Sequence, residues 1–230
     1  MTLRLQDSWP WPDILDPHDP KFSDMWEKIN HDCKTETVYP PQNQIFRAFE
    51  LCPFDKVKVV LLGQDPFYQE PKTTQGPPKA NGLAFSISED HPIDSSLKNM
   101  FQEIHDDLGL TIPPETRDLS PWADEGVLLM NAFLTVKKGQ KLSHKEWGSF
   151  TDAVIEAINN QKEQVVFLLW GTFAKKKAKL IDKTRHKILE TSHPSDMWDA
   201  VNKGFFGSKH FSKTNKYLED KKKSPIDWQV

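Results

Sequence analysis

The chain predicts a three-layer α/β/α fold, with helices on both faces of a central four-stranded parallel sheet. Three observations predict it. Four short apolar runs recur along the 230 residues, each closed by glycine or polar residues. Helical periodicities lie between the runs, and alternation of this kind specifies parallel strands joined by crossover helices. The length suits one large domain, and no internal repeat, low-complexity tract or linker divides residues 1–230.

The first forty residues are rich in Pro and Trp and are expected to wrap the core, with a short helix near Phe22–Cys33. A second helix is predicted across Pro41–Leu51, where Ile45, Phe46 and Phe49 give the apolar spacing. KVKVVLLGQD follows, stopped at Gly63; it is apolar on both faces, as a buried parallel strand must be. GVLLMNAF (126–133), QVVFLLWG (164–171) and HKILETSH (186–193) repeat that signal. The intervening helices are expected over Ser96–Leu108, Phe150–Asn160, Phe173–Ile181 and Lys209–Asp220.

Composition excludes several classes. Eight Trp and fourteen Phe describe a packed core, not a disordered chain. No window reaches ~18 uninterrupted apolar residues, and the N-terminus lacks the apolar core of a signal peptide. A soluble cytoplasmic protein is therefore expected. Cys33 and Cys52 alone cannot build a disulfide scaffold or a four-cysteine zinc site. With no metal-ligand cluster and no P-loop, neither metal nor cofactor is expected.

The net charge of −3 hides an asymmetry. Residues 171–223 hold fourteen Lys/Arg against six Asp/Glu, so the remaining 177 residues carry the acidic excess. A phosphate-facing surface needs such a distribution. A solvated helix face would equally account for Lys175, Lys176, Lys177 and Lys179.

In open parallel sheets, ligands bind beyond the carboxyl ends of the strands. Gln64–Asp65 follow the first strand, Asn131 the second, Gly171–Thr172 the third and Ser192–His193–Pro194–Ser195 the fourth. A carboxylate, a carboxamide and an imidazole thus converge on one rim. Singly each is weak, since an Asp after a strand is commonly a cap or turn former.

The segments GQDPF (63–67), GLAFSI (82–87), LLMNAFLTV (128–136), SHKE (143–146), FLLWG (167–171), SHPS (192–195) and GFFGSKHFSKTN (204–215) stand in an order that resembles the family-1 uracil-DNA glycosylases. The resemblance runs from about Phe46 to Trp228. It implies the fold of that family and an enzyme that flips uracil out of DNA, hydrolyses its N-glycosidic bond and leaves an abasic site for base excision repair. Asp65 and His193 are implied as catalytic, the first facing the sugar cation and the second donating to the departing base as a neutral imidazole. Asn131 is implied to read the base edge, Phe85 to stack on it, Phe67 to exclude the 5-methyl of thymine and Gln64 to supply a backbone contact. Ser95, Ser96, Thr172 and Ser195 are implied to hold phosphates, with Met197 as the wedge filling the vacated stack and Lys209 and Lys213 as basic surface.

The implied partner is uracil-containing DNA, single- or double-stranded. The protein is expected to work as a monomer, away from membranes, in the cytoplasm or in a eukaryotic nucleus, with a uracil-DNA glycosylase inhibitor protein as a further partner. The chain departs from the family pattern at Phe67, where tyrosine is usual, and at Tyr68, where histidine is usual. Residues 69–75 read as an insertion. These departures leave open a glycosylase with shifted base preference. A non-catalytic DNA-binding scaffold is the alternative from another class, and retention of Asp65, Asn131 and His193 together argues against it.

Overall fold

In a computed structural model, which describes residues 8–14, 20–69, 76–195 and 204–230, the chain enters through α1 (Trp11–Ile14), α2 (Pro20–Thr35) and a short strand β1 (Val38–Tyr39). It continues through α3 (Arg47–Leu51), β2 (Val59–Gly63), α4 (Ser95–Leu108), α5 (Ser120–Asp124), β3 (Val127–Asn131) and β4 (Val136–Lys137). Then come α6 (Trp147–Gln161), β5 (Val166–Trp170), α7 (Gly171–Lys175), β6 (Lys187–Thr191) and α8 (His210–Asp220).

The four predicted strands form one parallel sheet in the order β3–β2–β5–β6. Every residue of β2, β3 and β5 is buried, as their two-sided apolar sequences require. Each buried Val, Leu or Phe there contributes roughly 1.5–3 kcal/mol. The fourth run differs from expectation: in β6 Lys187 and Glu190 are exposed and only Leu189 and Thr191 are buried, whereas β3, the other edge of the sheet, is buried throughout. The order reverses at β2, which lies between β3 and β5. That is the switch point at which a crevice opens above the carboxyl ends.

The described part of the N-terminal segment packs on the core through Trp9, Trp11, Ile14, Met25 and Ile29, as its Pro/Trp content suggested. The indole of Trp9 donates to the carbonyls of Phe49 (3.0 Å) and Cys52 (3.2 Å). Trp11 stacks on Phe150 at 5.7 Å, and Trp147 meets Phe46 edge-on at 5.9 Å. This aromatic cluster overrides the local periodicity of Pro41–Leu51. Instead of one helix, a 3-10 turn at Gln42–Gln44 precedes α3, and Phe46 between them leaves helical geometry at ψ 13° to bury its ring. The helix expected over Phe173–Ile181 likewise begins earlier as α7 and tightens into a 3-10 segment at Lys176–Leu180. The antiparallel pair β1–β4, at two residues each, is too short to leave a periodic signal.

Candidate active site

Strand ends and the turns after them assemble the site. β2 and β3 run in register, so Gly63 lies opposite Asn131. Beyond them the Ala132 N–H donates to the Gly63 carbonyl at 3.0 Å and the Phe133 N–H to that of Gln64 at 2.9 Å. These bonds stitch the Gln64–Asp65 turn to the segment following Asn131. A side chain at position 63 would displace the Asn131 carboxamide, because a Cβ would fall 2.1 Å from its Oδ1. Glycine therefore lets the carboxamide lie flat against the backbone. Asn131 is only 8 % exposed, and its amide makes no hydrogen bond to any described residue. An amide that lines a cavity can recognise a ligand by its donor and its acceptor.

Asp65 stands on the turn, half-buried, and its Oδ2 accepts the Leu142 N–H at 3.4 Å. Burial pushes its carboxyl above the usual range, with the Leu142 N–H and the charge of Lys141 acting against that. Leu142 reaches this position through a left-handed φ of 58°. Its loop is pinned below by a buried chain: Trp147 Nε1 donates to Thr135 Oγ1 (2.7 Å), which meets His144 Nδ1 (2.7 Å), while His144 Nε2 faces Asp32 Oδ2 (3.1 Å).

His193 follows β6. Its Nδ1 accepts the Ser195 N–H at 3.1 Å, so the ring proton belongs on Nε2. Burial lowers its pKa and keeps the imidazole neutral. Gly171, at φ 86°, passes beneath it, where a Cβ would approach His193 Cβ to 3.0 Å. Phe85 adopts φ 65° and sets its ring 5.6 Å from His193 and 5.9 Å from Trp170. Its loop is fixed to β3 by the Ala84 N–H on the Leu129 carbonyl at 2.9 Å.

Asp65, Asn131 and His193 line one cavity of about 330 Å³ together with Gln64, Phe67, Phe85, Ser96 and Ser195. Thr172 lies outside it, on an adjoining cavity of about 470 Å³ that shares Gln64, His193 and Ser195. The rim is braced from α4: Ser95 Oγ donates to the Ser195 carbonyl and Asn99 Nδ2 to that of Pro194, both at 2.6 Å.

The two predicted lysines line neither cavity. Both are exposed on the segment after Gly204, which Glu103 of α4 gathers by accepting the N–H groups of Gly207 and Lys209 at 2.8 Å each. Lys213 Nζ donates to the Ser208 carbonyl at 2.7 Å. Met197 and residues 70–75 of the expected insertion lie outside the described residues. Tyr68 lines the cavity and packs against Tyr39, Ala80 and Val136 at the small β1–β4 sheet. Among the described residues no group of three potential metal ligands occurs.

Sequence reading missed Lys141 and Asp94, which also line the cavity, and Lys79, which touches Phe67. Of these only Asp94 left a signal, an Asp directly before Ser95–Ser96 at a helix start; its Oδ1 accepts the Ser96 N–H at 3.0 Å.

Comparison with known proteins bears on this geometry. The sequence profile of the uracil DNA glycosylase superfamily matches residues 49–219. The chain is 45% identical over 232 residues to a uracil-DNA glycosylase of Phocaeicola vulgatus, covering 99% of this chain and 100% of the relative. It is 47% identical over 233 residues to one of Flavobacterium johnsoniae, again covering 99% and 100%. Its fold superposes on the crystal structure of mimivirus uracil-DNA glycosylase with a TM-score of 0.90 at 25% identity, covering 99% of this chain and 88% of that one. A mimivirus variant in complex with UGI gives the same TM-score of 0.90 and identity of 25%, covering 99% and 90%.

Proposed function

This chain belongs to the uracil DNA glycosylase superfamily, and on that premise we propose how its residues release uracil from DNA. It is a DNA repair hydrolase that cleaves the N-glycosidic bond of a flipped-out uracil and leaves an abasic site. One observation carries the residue assignment: Asp65, Asn131 and His193 line one cavity at the carboxyl ends of the parallel strands.

Breaking the bond places positive charge on the deoxyribose and negative charge on the base. The transition state thus resembles an oxocarbenium ion, as in O-glycoside cleavage. Asp65 faces the sugar, stabilises the cation and orients the water that attacks it. The long, single N–H bond from Leu142 leaves most of its acceptor capacity for that work. His193 donates from Nε2 to uracil O2 as negative charge develops there. A donor of this kind typically contributes ~3–4 kcal/mol. Its neutrality is supported by the Ser195 N–H on Nδ1, which an imidazolium would repel.

Asn131 accepts from uracil N3–H and donates to O4. Cytosine presents the reverse pair, so an amide held in this orientation leaves both of its buried polar groups unpaired against it. Phe85 stacks on the base, Phe67 closes the side on which thymine carries its methyl, and Gln64 supplies a backbone contact. Ser95, Ser96, Thr172 and Ser195 hold flanking phosphates, with Lys209 and Lys213 as the basic surface beside them. Met197 would fill the vacated stack.

We assign the chain to the family-1 branch on the GQDPF and SHPS segments. One chain supplies every member of the site, which supports a working monomer, and an enzyme acting on chromosomal DNA works in the cytoplasm of a bacterium or in a nucleus. Single- and double-stranded DNA both suit a cavity that takes an extruded base. A uracil-DNA glycosylase inhibitor protein is proposed as a second partner, supported by the mimivirus complex with UGI. No helix among the described residues is long and apolar enough to cross a membrane.

Alkaline cleavage of labelled oligonucleotides carrying U, T, C or 5-hydroxymethyluracil tests the reading. Strand scission is expected at U and absent at C and T. Scission at C, or none at U, would refute it.

A further inference from the structure

Phe67 carries no polar atom that could fix its ring, yet the shape of one cavity wall depends on where that ring stands. Lys79 supplies the restraint. Its ammonium lies over the ring, 4.1 Å from the centroid, and also donates to Asp94 Oδ2 at 3.0 Å. The Lys79 side chain is only 11 % exposed, so water competes little for the charge. Asp94 is itself immobile, because its other oxygen caps α4 through the Ser96 N–H at 3.0 Å. The ring also packs against the apolar group of Tyr39, Ala80 and Val136. A fixed cation and a fixed apolar wall together hold it in place.

We propose that Lys79, anchored on Asp94, is a specificity-determining positioning residue: it clamps the Phe67 ring in the place that excludes pyrimidines bearing a substituent at C5. The proposal rests on the assignment of Phe67 as that wall. A cation over an aromatic face is attracted by the ring quadrupole, and the attraction strengthens as the pair is desolvated. Tyrosine at this position could use its hydroxyl for anchorage; phenylalanine needs another restraint, and the lysine provides one without touching the base. Asp94 keeps its charge for this role: burial pushes its carboxyl up, but the Ser96 and Lys79 hydrogen bonds hold it below the ordinary range.

The test is single-turnover excision of uracil, 5-bromouracil and thymine from otherwise identical oligonucleotides by the wild-type protein and by Lys79→Met, Lys79→Arg and Phe67→Ala. The electronic effect of bromine is common to all forms and cancels in the comparison. Lys79→Met fills the same space without charge, and the ratio of uracil to 5-bromouracil excision should fall about threefold to thirtyfold, with Lys79→Arg restoring it. A merely structural lysine would change the melting temperature or both rates together and leave the ratio unmoved. That outcome, with Phe67→Ala still gaining thymine excision, would overturn the role of Lys79 while leaving Phe67 as the wall. If Phe67→Ala remains active on uracil yet gains neither 5-bromouracil nor thymine excision, the wall assignment itself fails and the clamp falls with it.

Discussion

The backbone N–H of Ser195 donates to Nδ1 of His193 at 3.1 Å, two residues away along the same turn. This short-range bond decides the chemistry of the ring. With Nδ1 occupied as an acceptor, the imidazole is neutral and carries its proton on Nε2, where it can donate into the cavity. Burial acts in the same direction by disfavouring the charged form.

His193→Ala should accordingly lower the single-turnover rate of uracil release by about 10²–10³-fold, the cost of one oxyanion donor, with little change in the dissociation constant for uracil-DNA. In the proposed role His193 meets a charge that exists mainly in the transition state. Rapid-quench excision together with fluorescence-anisotropy binding separates the two, and a defect confined to binding would remove His193 from its role.

The role proposed for Asp65 needs its anion, whereas burial raises its pKa. The acid limb of the rate profile should therefore lie above the ordinary carboxylate range, with activity rising as Asp65 ionises. The same shift has a stability consequence. A carboxyl whose folded pKa is raised makes the native state bind more protons, so stability is lost as pH rises from the unfolded pKa through the folded one. Asp65→Asn should melt higher than wild type at neutral pH, and the difference should vanish in acid. Calorimetry at pH 7 and pH 4 checks the sign; a lower melting temperature at neutral pH would contradict it.

His210 is a larger reservoir of pH dependence. Its pKa is pushed down to about 4, first by burial and then by the charge of Lys213, and its Nδ1 accepts the indole N–H of Trp170 at 2.9 Å. A depressed histidine stabilises the fold above its unfolded pKa near 6.5, and that contribution is lost as pH falls towards 4. The loss amounts to ~3 kcal/mol. His210→Asn, which can still accept from Trp170, should flatten the decline in urea stability between pH 7 and pH 4. An unchanged decline would place its cause elsewhere.

Much of the site was legible because its residues follow strands whose apolar runs are unmistakable. Asp65, Asn131 and His193 each stand at or just beyond a strand end. Once the runs are taken as parallel, those ends must share a rim. The partial exposure of β6 was not legible, since the cover over a strand's faces is settled by long-range packing, not by the composition of KILET. Pro41–Leu51 misled for a related reason: Ile45, Phe46 and Phe49 have helical spacing, but the rings of Trp26, Trp147 and Phe150 draw Phe46 out of the helix. Lys79, Lys141 and Glu103 left no local trace, because each acts on a partner brought near only by the fold.

The acidic net charge does not prevent a salt-dependent interaction with DNA. If the surface carrying Lys209 and Lys213 and the serine-bearing turns engage about four phosphates, the slope of log K against log salt should be about −3 to −4, at roughly 0.9 per phosphate on a duplex. Binding to a duplex with a tetrahydrofuran site between about 50 and 200 mM salt, a range suited to this dependence, measures the slope without catalysis. A flat response would reduce the lysines to a solvated face.

The central claim is that a carboxylate at the end of β2 stabilises the sugar cation while the surrounding cavity holds uracil. Its most direct test compares wild-type protein and Asp65→Asn on one uracil-containing oligonucleotide, with single-turnover release and equilibrium binding measured on the same samples. The substitution preserves shape and removes the charge. Release by Asp65→Asn should fall by about 10³-fold or more while binding stays within a few-fold of wild type. Near-normal release by the variant would contradict the account.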